Sequence, residues 1–168
     1  MTNNTLALIA LCNEYCATIE RAQDTALPDF VAKVVKLLPR IYITTWDIPD
    51  DISSEEGYID SLLAEDVYDT VSHNLELAIG EKNVFLEVFE EDMKYSDTPI
   101  AATISESLAD LFQVFYNFIE TVRDAPEELV DNALSAFKED FKSYWSQILC
   151  NVMRPLNNIA YNSEYEEL

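Results

Sequence analysis

Glycine is almost missing from this chain: among 168 residues only Gly57 and Gly80 carry no side chain. Tight hairpins and sheet bulges draw on positive φ, which glycine adopts most freely, so so few glycines exclude a sheet-rich architecture. Basic side chains are scarce too, 10 lysines and arginines against 32 acids, for a formal charge of -22. Such a chain repels a phosphate backbone and an anionic bilayer surface alike, which excludes direct nucleic-acid binding and membrane-surface binding. No run approaches the ~20 apolar residues that span a bilayer. The opening Met1-Thr-Asn-Asn-Thr5 has no basic residue, and the apolar run from Leu6 to Leu11 soon meets Cys12-Asn13-Glu14. No secretory leader is expected from this stretch, and the cytoplasm is the expected compartment. Three cysteines make an odd count, and Cys12 with Cys16 has the spacing of one helix face, so a secreted disulfide framework is not expected.

What the chain does have is apolar residues, 49% of it, interleaved with charge at helical spacing. Leu8, Leu11, Cys12, Tyr15, Cys16 and Ile19 predict a helix over 4–22. Leu27-Pro28-Asp29 is a start signal, since proline's missing N–H has no partner in a first turn. From there Phe30, Val31, Val34, Val35, Leu38, Ile41 and Tyr42 predict a second helix ending near Trp46, with a kink or break at Pro39. The stretch 47–58 holds a proline, a glycine, two serines and five carboxylates without a period, and is expected to be an exposed, mobile loop. A third helix is predicted over 59–79 from Leu62, Leu63, Val67, Val71, Leu75 and Ile79, with Gly80 as its stop.

Residues 83–89 concentrate β-branched and aromatic side chains, but a lone strand has no partner, so short helical or extended packing is expected rather than a sheet. A second acidic loop follows over 90–99. Thr103 and Glu106 form a capping box ahead of Leu108, Leu111, Phe112, Phe115, Phe118, Ile119 and Val122, the fourth helix. Asp124 and Pro126 repeat the start signal, Asp124 as cap and proline in the first turn. A long fifth helix then runs through Phe137, Phe141, Trp145 and Leu149 to Met153, with Pro155 bending or shortening its end and 162–168 a frayed tail. Stripes of this kind bury only against one another, which predicts an all-α fold: one domain, a bundle of five to six amphipathic helices.

Candidate chemistry is thin. Cys12, Cys16 and His73 fall short of a closed zinc site, and the cysteines, Cys150 included, are expected in the core. A di-iron bundle needs Glu-x-x-His pairs, and none occurs. Asp69 and His73, one turn apart, suit a surface ion pair. No nucleophile elbow, glycine-rich phosphate loop or His-Glu-x-x-His is present. The carboxylates are expected to form a solvated face, and no metal or cofactor is expected. Trp46, Tyr58 and Tyr95 flank the acidic segments 47–60 and 87–97, and aromatics rimmed by charge are the make-up of interface anchors. Capping the ends of the bundle would place the same three residues equally well.

Three further stretches carry a likeness. They are Leu37-Leu38-Pro39-Arg40-Ile41-Tyr42 with Ile48-Pro49, then Ser107-Leu108-Ala109-Asp110 with Tyr116, then Phe141 to Trp145 with Met153-Arg154-Pro155-Leu156. In these the chain resembles an uncharacterised bacterial family catalogued as a domain of unknown function, number five thousand and sixty-three. The resemblance implies an all-helical cytoplasmic protein of unassigned activity. That family tends to carry further aspartates where this chain has Leu111, Val114 and Phe118, and histidines where it has Tyr144 and Ile148, which implies that a polar site built on those groups is degraded or absent here.

The function expected is a non-enzymatic binding or regulatory module that presents an acidic face to a protein partner, a basic one being the electrostatic match. Asp110, Tyr116, Trp145 and Arg154 join the aromatic trio as candidate interaction residues, with Asp110 and Arg154 also candidates for an inter-helix ion pair. The alternatives are a carboxylate-based enzyme or metal-binding protein with a cleft between helices, and an inhibitor that mimics DNA through its charge.

Overall fold

Thr2 opens the first helix by accepting the Thr5 N–H at 3.1 Å, one of the donors that a helix start leaves unpaired. The computed structural model describes residues 1–87 and 100–162. Tyr95, the whole of the predicted loop 90–99 and the tail 163–168 lie outside the described residues.

Helix α1 (Asn3–Glu20) buries Leu8, Cys12, Tyr15, Cys16 and Ile19. Helix α2 (Leu27–Trp46) follows and is continuous through Pro39, so of the predicted kink or break the break does not occur. Proline inside a helix costs about 3 kcal/mol, but Leu37, Leu38 and Ile41 beside it are all buried, and each such side chain returns about 1.5–3 kcal/mol. Packing therefore outweighs the lost bond. Pro155 is carried through the last helix in the same way, between buried Val152, Leu156 and Ile159.

Helix α3 (Glu65–Ile79) starts later than its apolar pattern suggests. The segment 59–64 ahead of it is irregular, and three of its amides are taken by side chains of a neighbour. Asn117 Oδ1 accepts the N–H groups of Leu62 and Leu63 at 3.0 and 2.9 Å, and Thr121 Oγ1 accepts that of Asp60 at 3.0 Å. Gly80 closes the helix at φ 70°, where its missing Cβ matters.

The expectation against a sheet is corrected. Strand β1 (Val84–Leu86) pairs antiparallel with β2 (Ala101–Thr103), Phe85 opposite Ala102. The partner escaped notice because Ala101 and Ala102 carry no strand signature and Thr103 is also the helix cap. A reciprocal pair fastens the ribbon to the next helix: Asn83 Oδ1 accepts the Ser105 N–H at 2.8 Å, and Asn83 Nδ2 donates to Ser105 Oγ at 2.9 Å.

Helix α4 (Ile104–Val122) begins as predicted, Thr103 Oγ1 accepting the Glu106 N–H at 3.2 Å. It packs against α1, α3 and both final helices. Helix α5 (Glu127–Asp140) is capped by Pro126 and not by Asp124, which instead takes a left-handed φ of 56° at the turn out of α4. The long final rod is continuous as predicted, but it contains one π turn, Phe141–Trp145, before α6 (Ser146–Asn162). Between these elements lies an aromatic core. The rings of Phe115 and Trp145 meet edge-on at 5.2 Å, and those of Phe118 and Phe137 stack at 4.3 Å.

The segment 47–58 is irregular as predicted, yet it is fastened down and not free. Ile48 is buried, and Ser53 bonds to the Asn132 carboxamide. Gly57 lies so close to α5 that a Cβ there would stand 2.2 Å from the Asn132 carbonyl oxygen. The buried Lys138 ammonium donates to the carbonyls of Thr45 at 3.2 Å, Ile48 at 2.9 Å, and Trp46, closing the C-terminus of α2. The fold is a single-domain, all-α bundle with one two-stranded ribbon. None of its described helices is long and apolar enough to cross a membrane.

Candidate functional site

Helix α4 has two faces. Its apolar stripe fills the core, and a polar stripe of Glu106, Ser107, Asp110, Gln113, Asn117 and Thr121 runs opposite at three-and-four spacing. The lower end of that stripe is used up by the irregular stretch 59–64. The upper end stays open as a groove of about 490 Å³ between α4 and the start of α6, walled by Glu106, Ser107, Asp110, Ser143, Tyr144, Gln147, Ile148 and Asn151 and closed at one end by the strand ribbon and Glu87. A neighbouring cleft of about 330 Å³, lined by Asp60, Gln113, Asn117 and Asp140, shares Tyr144 as a wall. The π turn explains that placement. Phe141 and Trp145 both point into the core, so the extra residue in the turn swings Lys142, Ser143 and Tyr144 outward. Lys142 reaches Asp50 at 2.7 Å and Tyr144 reaches the groove.

The field in the groove is negative. Asp110 is half-buried and accepts the Tyr68 hydroxyl at 2.5 Å on Oδ1. Burial pushes its carboxyl above the usual carboxylate range, the Tyr68 hydrogen bond pulls it back, and the Glu106 charge adds to the upward push. Tyr68 and Tyr144 are both raised, first by burial and then by the bond to Asp110 in one case and its charge in the other. In the second cleft burial raises Asp140, with Glu139 adding to it. None of the described residues lining the groove is basic. Asn151 stands out among them: it is only 9% exposed, and its carboxamide has no hydrogen-bond partner among the described residues. Pro155 also has no N–H to offer the Asn151 backbone carbonyl four residues earlier.

The candidate residues scatter. Asp110 lies in the groove. Trp46 and Tyr58 are 62% and 70% exposed on other parts of the surface, Trp46 stacked on Tyr42 at 6.2 Å. Tyr116 is half-buried and stacks on Phe112 at 5.8 Å, off the groove. Trp145 is fully buried and so has no surface to offer a partner; its Nε1 lacks a hydrogen-bond partner among the described residues. Arg154 does not pair with Asp110: it donates to the Leu86 carbonyl and ties α6 to β1, while Asp110 takes Tyr68.

Cys12 and Cys16 are buried as expected, far from any closed site, but Cys150 is exposed, contrary to expectation. No ion pair joins Asp69 and His73 among the described residues, and no group of three or more His, Cys, Asp or Glu among them is placed to hold a metal. Sequence reasoning missed Tyr68, Tyr144 and Asn151 as members of the site. Three of the positions where the chain departs from the family it resembles, Val114, Tyr144 and Ile148, line the two clefts, whereas Leu111 and Phe118 are core.

The crystal structure of protein BF1032 from Bacteroides fragilis, a structural-genomics target, is similar to this chain. The two are 26% identical with a TM-score of 0.79, over 95% of this chain and 94% of that one. Comparison with the curated proteins finds no match. The family described as Domain of unknown function (DUF5063) matches residues 1–162, nearly the whole length, and the chain therefore belongs to that family.

Proposed function

We propose that the protein is a non-enzymatic binding module whose α4 groove receives a basic segment of a partner protein in the cytoplasm. The observation that carries this is the groove's charge: Asp110, half out of water, stands beside Glu106 with no cation among the described lining residues. A carboxylate in that position gains most from a cation brought by a ligand, because the interaction is less screened than on the open surface. Three free thiols, two of them buried, fit a reducing compartment. The chain's overall -22 favours fast encounter with a basic partner and disfavours nucleic acid.

The test is fluorescence anisotropy with a labelled peptide of mixed lysine and arginine, across a salt series, on the natural chain and on Glu106→Gln with Asp110→Asn. Saturable binding that weakens with salt and falls about tenfold or more in the double variant is expected, a loss of ~1.4 kcal/mol or more. Equal binding by the double variant would refute the proposal. Melting with divalent metals and with EDTA tests the carboxylate-metal alternative, which a large shift at low metal concentration would favour.

A further inference from the structure

We infer that the group this groove takes is the guanidinium of an arginine side chain, a refinement that rests on the binding-module proposal. Its support comes from Asn151. Asn151 is nine-tenths buried as a residue, and its carboxamide, which has no hydrogen-bond partner among the described residues, meets water where it lines the groove. A ligand seated there would displace that water and take over its hydrogen bonds. The groove offers acceptors: Asn151 Oδ1, the Asp110 oxygen that Tyr68 leaves open, and Glu106. It also offers a half-exposed aromatic ring in Tyr144.

A guanidinium matches that set on each count. It carries five N–H donors in one plane, enough to serve a carboxylate and a carboxamide together, and its face stacks on an aromatic ring. An ammonium carries only three donors as a compact, strongly hydrated charge, so it surrenders more water on entering a half-buried groove and gains less from the ring. At about 490 Å³ the groove has room for a side chain and its flanking backbone, and not for a helix.

The experiment uses two short end-blocked peptides that differ at a single site, arginine in one and lysine in the other, with neutral residues elsewhere. Each is titrated into the isotopically labelled chain, reading affinity and the side-chain NH₂ signals of Asn151. The arginine peptide is expected to bind about tenfold tighter and to shift the Asn151 signals. Asn151→Ala and Tyr144→Leu are each expected to cut arginine binding several-fold and to leave lysine binding little changed. Tyr144 is on the surface, so its variant keeps the test informative even if Asn151→Ala unfolds. Equal affinity for the two peptides, with Tyr144→Leu indifferent and Asp110→Asn still harmful, would overturn the guanidinium inference and leave the acidic groove standing. No binding of either peptide, or binding untouched by Asp110→Asn, would overturn both.

Discussion

Lys138 should matter to stability more than any exposed cation in this protein. It is 8% exposed, on α5, and its ammonium closes the C-terminus of α2 by donating to the carbonyls of Thr45, Trp46 and Ile48. Hydrogen bonds from a charged donor contribute ~1.5–3 kcal/mol each, and a cation at a helix C-terminus adds up to ~2 kcal/mol. Lys138→Met keeps the length and apolar stem of the side chain and removes only the charge and its donors. Water reaches part of the released site beside exposed Trp46, so the full sum is not lost, and about 3 kcal/mol is the expected cost.

For a chain of this length that lowers the melting temperature by about 6–12 °C. Removing any positive charge from a protein at -22 also worsens self-repulsion, so Lys33→Met, at an exposed position on α2, is the control. It is expected to stay within ~0.5 kcal/mol of the natural chain. Thermal and urea unfolding followed by circular dichroism would measure both. If the two variants lose the same amount, the loss is general electrostatics and the clasp account is wrong.

Other variants probe other joints. Gly57→Ala would place a Cβ 2.2 Å from the Asn132 oxygen and 2.6 Å from the Ala136 nitrogen, both backbone, so a loss of about 1–3 kcal/mol in urea unfolding is expected; a loss under ~0.5 kcal/mol would mean that 47–58 is not docked on α5. Asp124→Val forces a β-branched residue into φ 56° and should cost about 1–2 kcal/mol, while Asp124→Gly should not destabilise; equal effects of the two would refute a left-handed turn there. The raised carboxyl of Asp110 means that the folded chain holds that proton more tightly than the unfolded one. The contribution is favourable below the unfolded value, near ~3.9, and is lost as pH rises through the higher folded value. Asp110→Asn should therefore gain stability relative to the natural chain as pH rises through that window, and a relative loss in urea unfolding would reverse the sign of the argument.

The helices were legible where a single apolar stripe decided the matter, as in α1, α2 and α4. They were illegible where one element borrowed from another. The stretch 59–64 keeps its apolar spacing but is not helical, and Asn117 and Thr121 satisfy three of its amides, a partnership between residues more than fifty positions apart. Strand β2 is two alanines and a cap, and only its pairing reveals it. Asp110 was visible through the Ser-Leu-Ala-Asp stretch that carries the family likeness. Lys138 stands inside an apolar stripe, four residues after Leu134 and three before Phe141, and went unread. Tyr68 and Asn151 had no such mark, since joining α3 and α6 to one groove takes tertiary packing.

Acidity itself tells little about the site, because it is everywhere on this chain. Exposed carboxylates more than a screening length apart, ~8 Å at physiological salt, attract a basic partner without choosing where it lands. The groove differs in that its carboxylate Asp110 is half-buried and Asn151 in its wall is nine-tenths buried as a residue, so the interactions there are short-ranged and geometric. The two contributions should separate kinetically. Neutralising exposed acids that do not line the groove, such as Glu55 and Glu56, should slow association and flatten its salt dependence, whereas Asp110→Asn should speed dissociation. If that pair and Asp110 alter the same rate constant, the groove is one more patch of negative surface and the site has to be sought elsewhere.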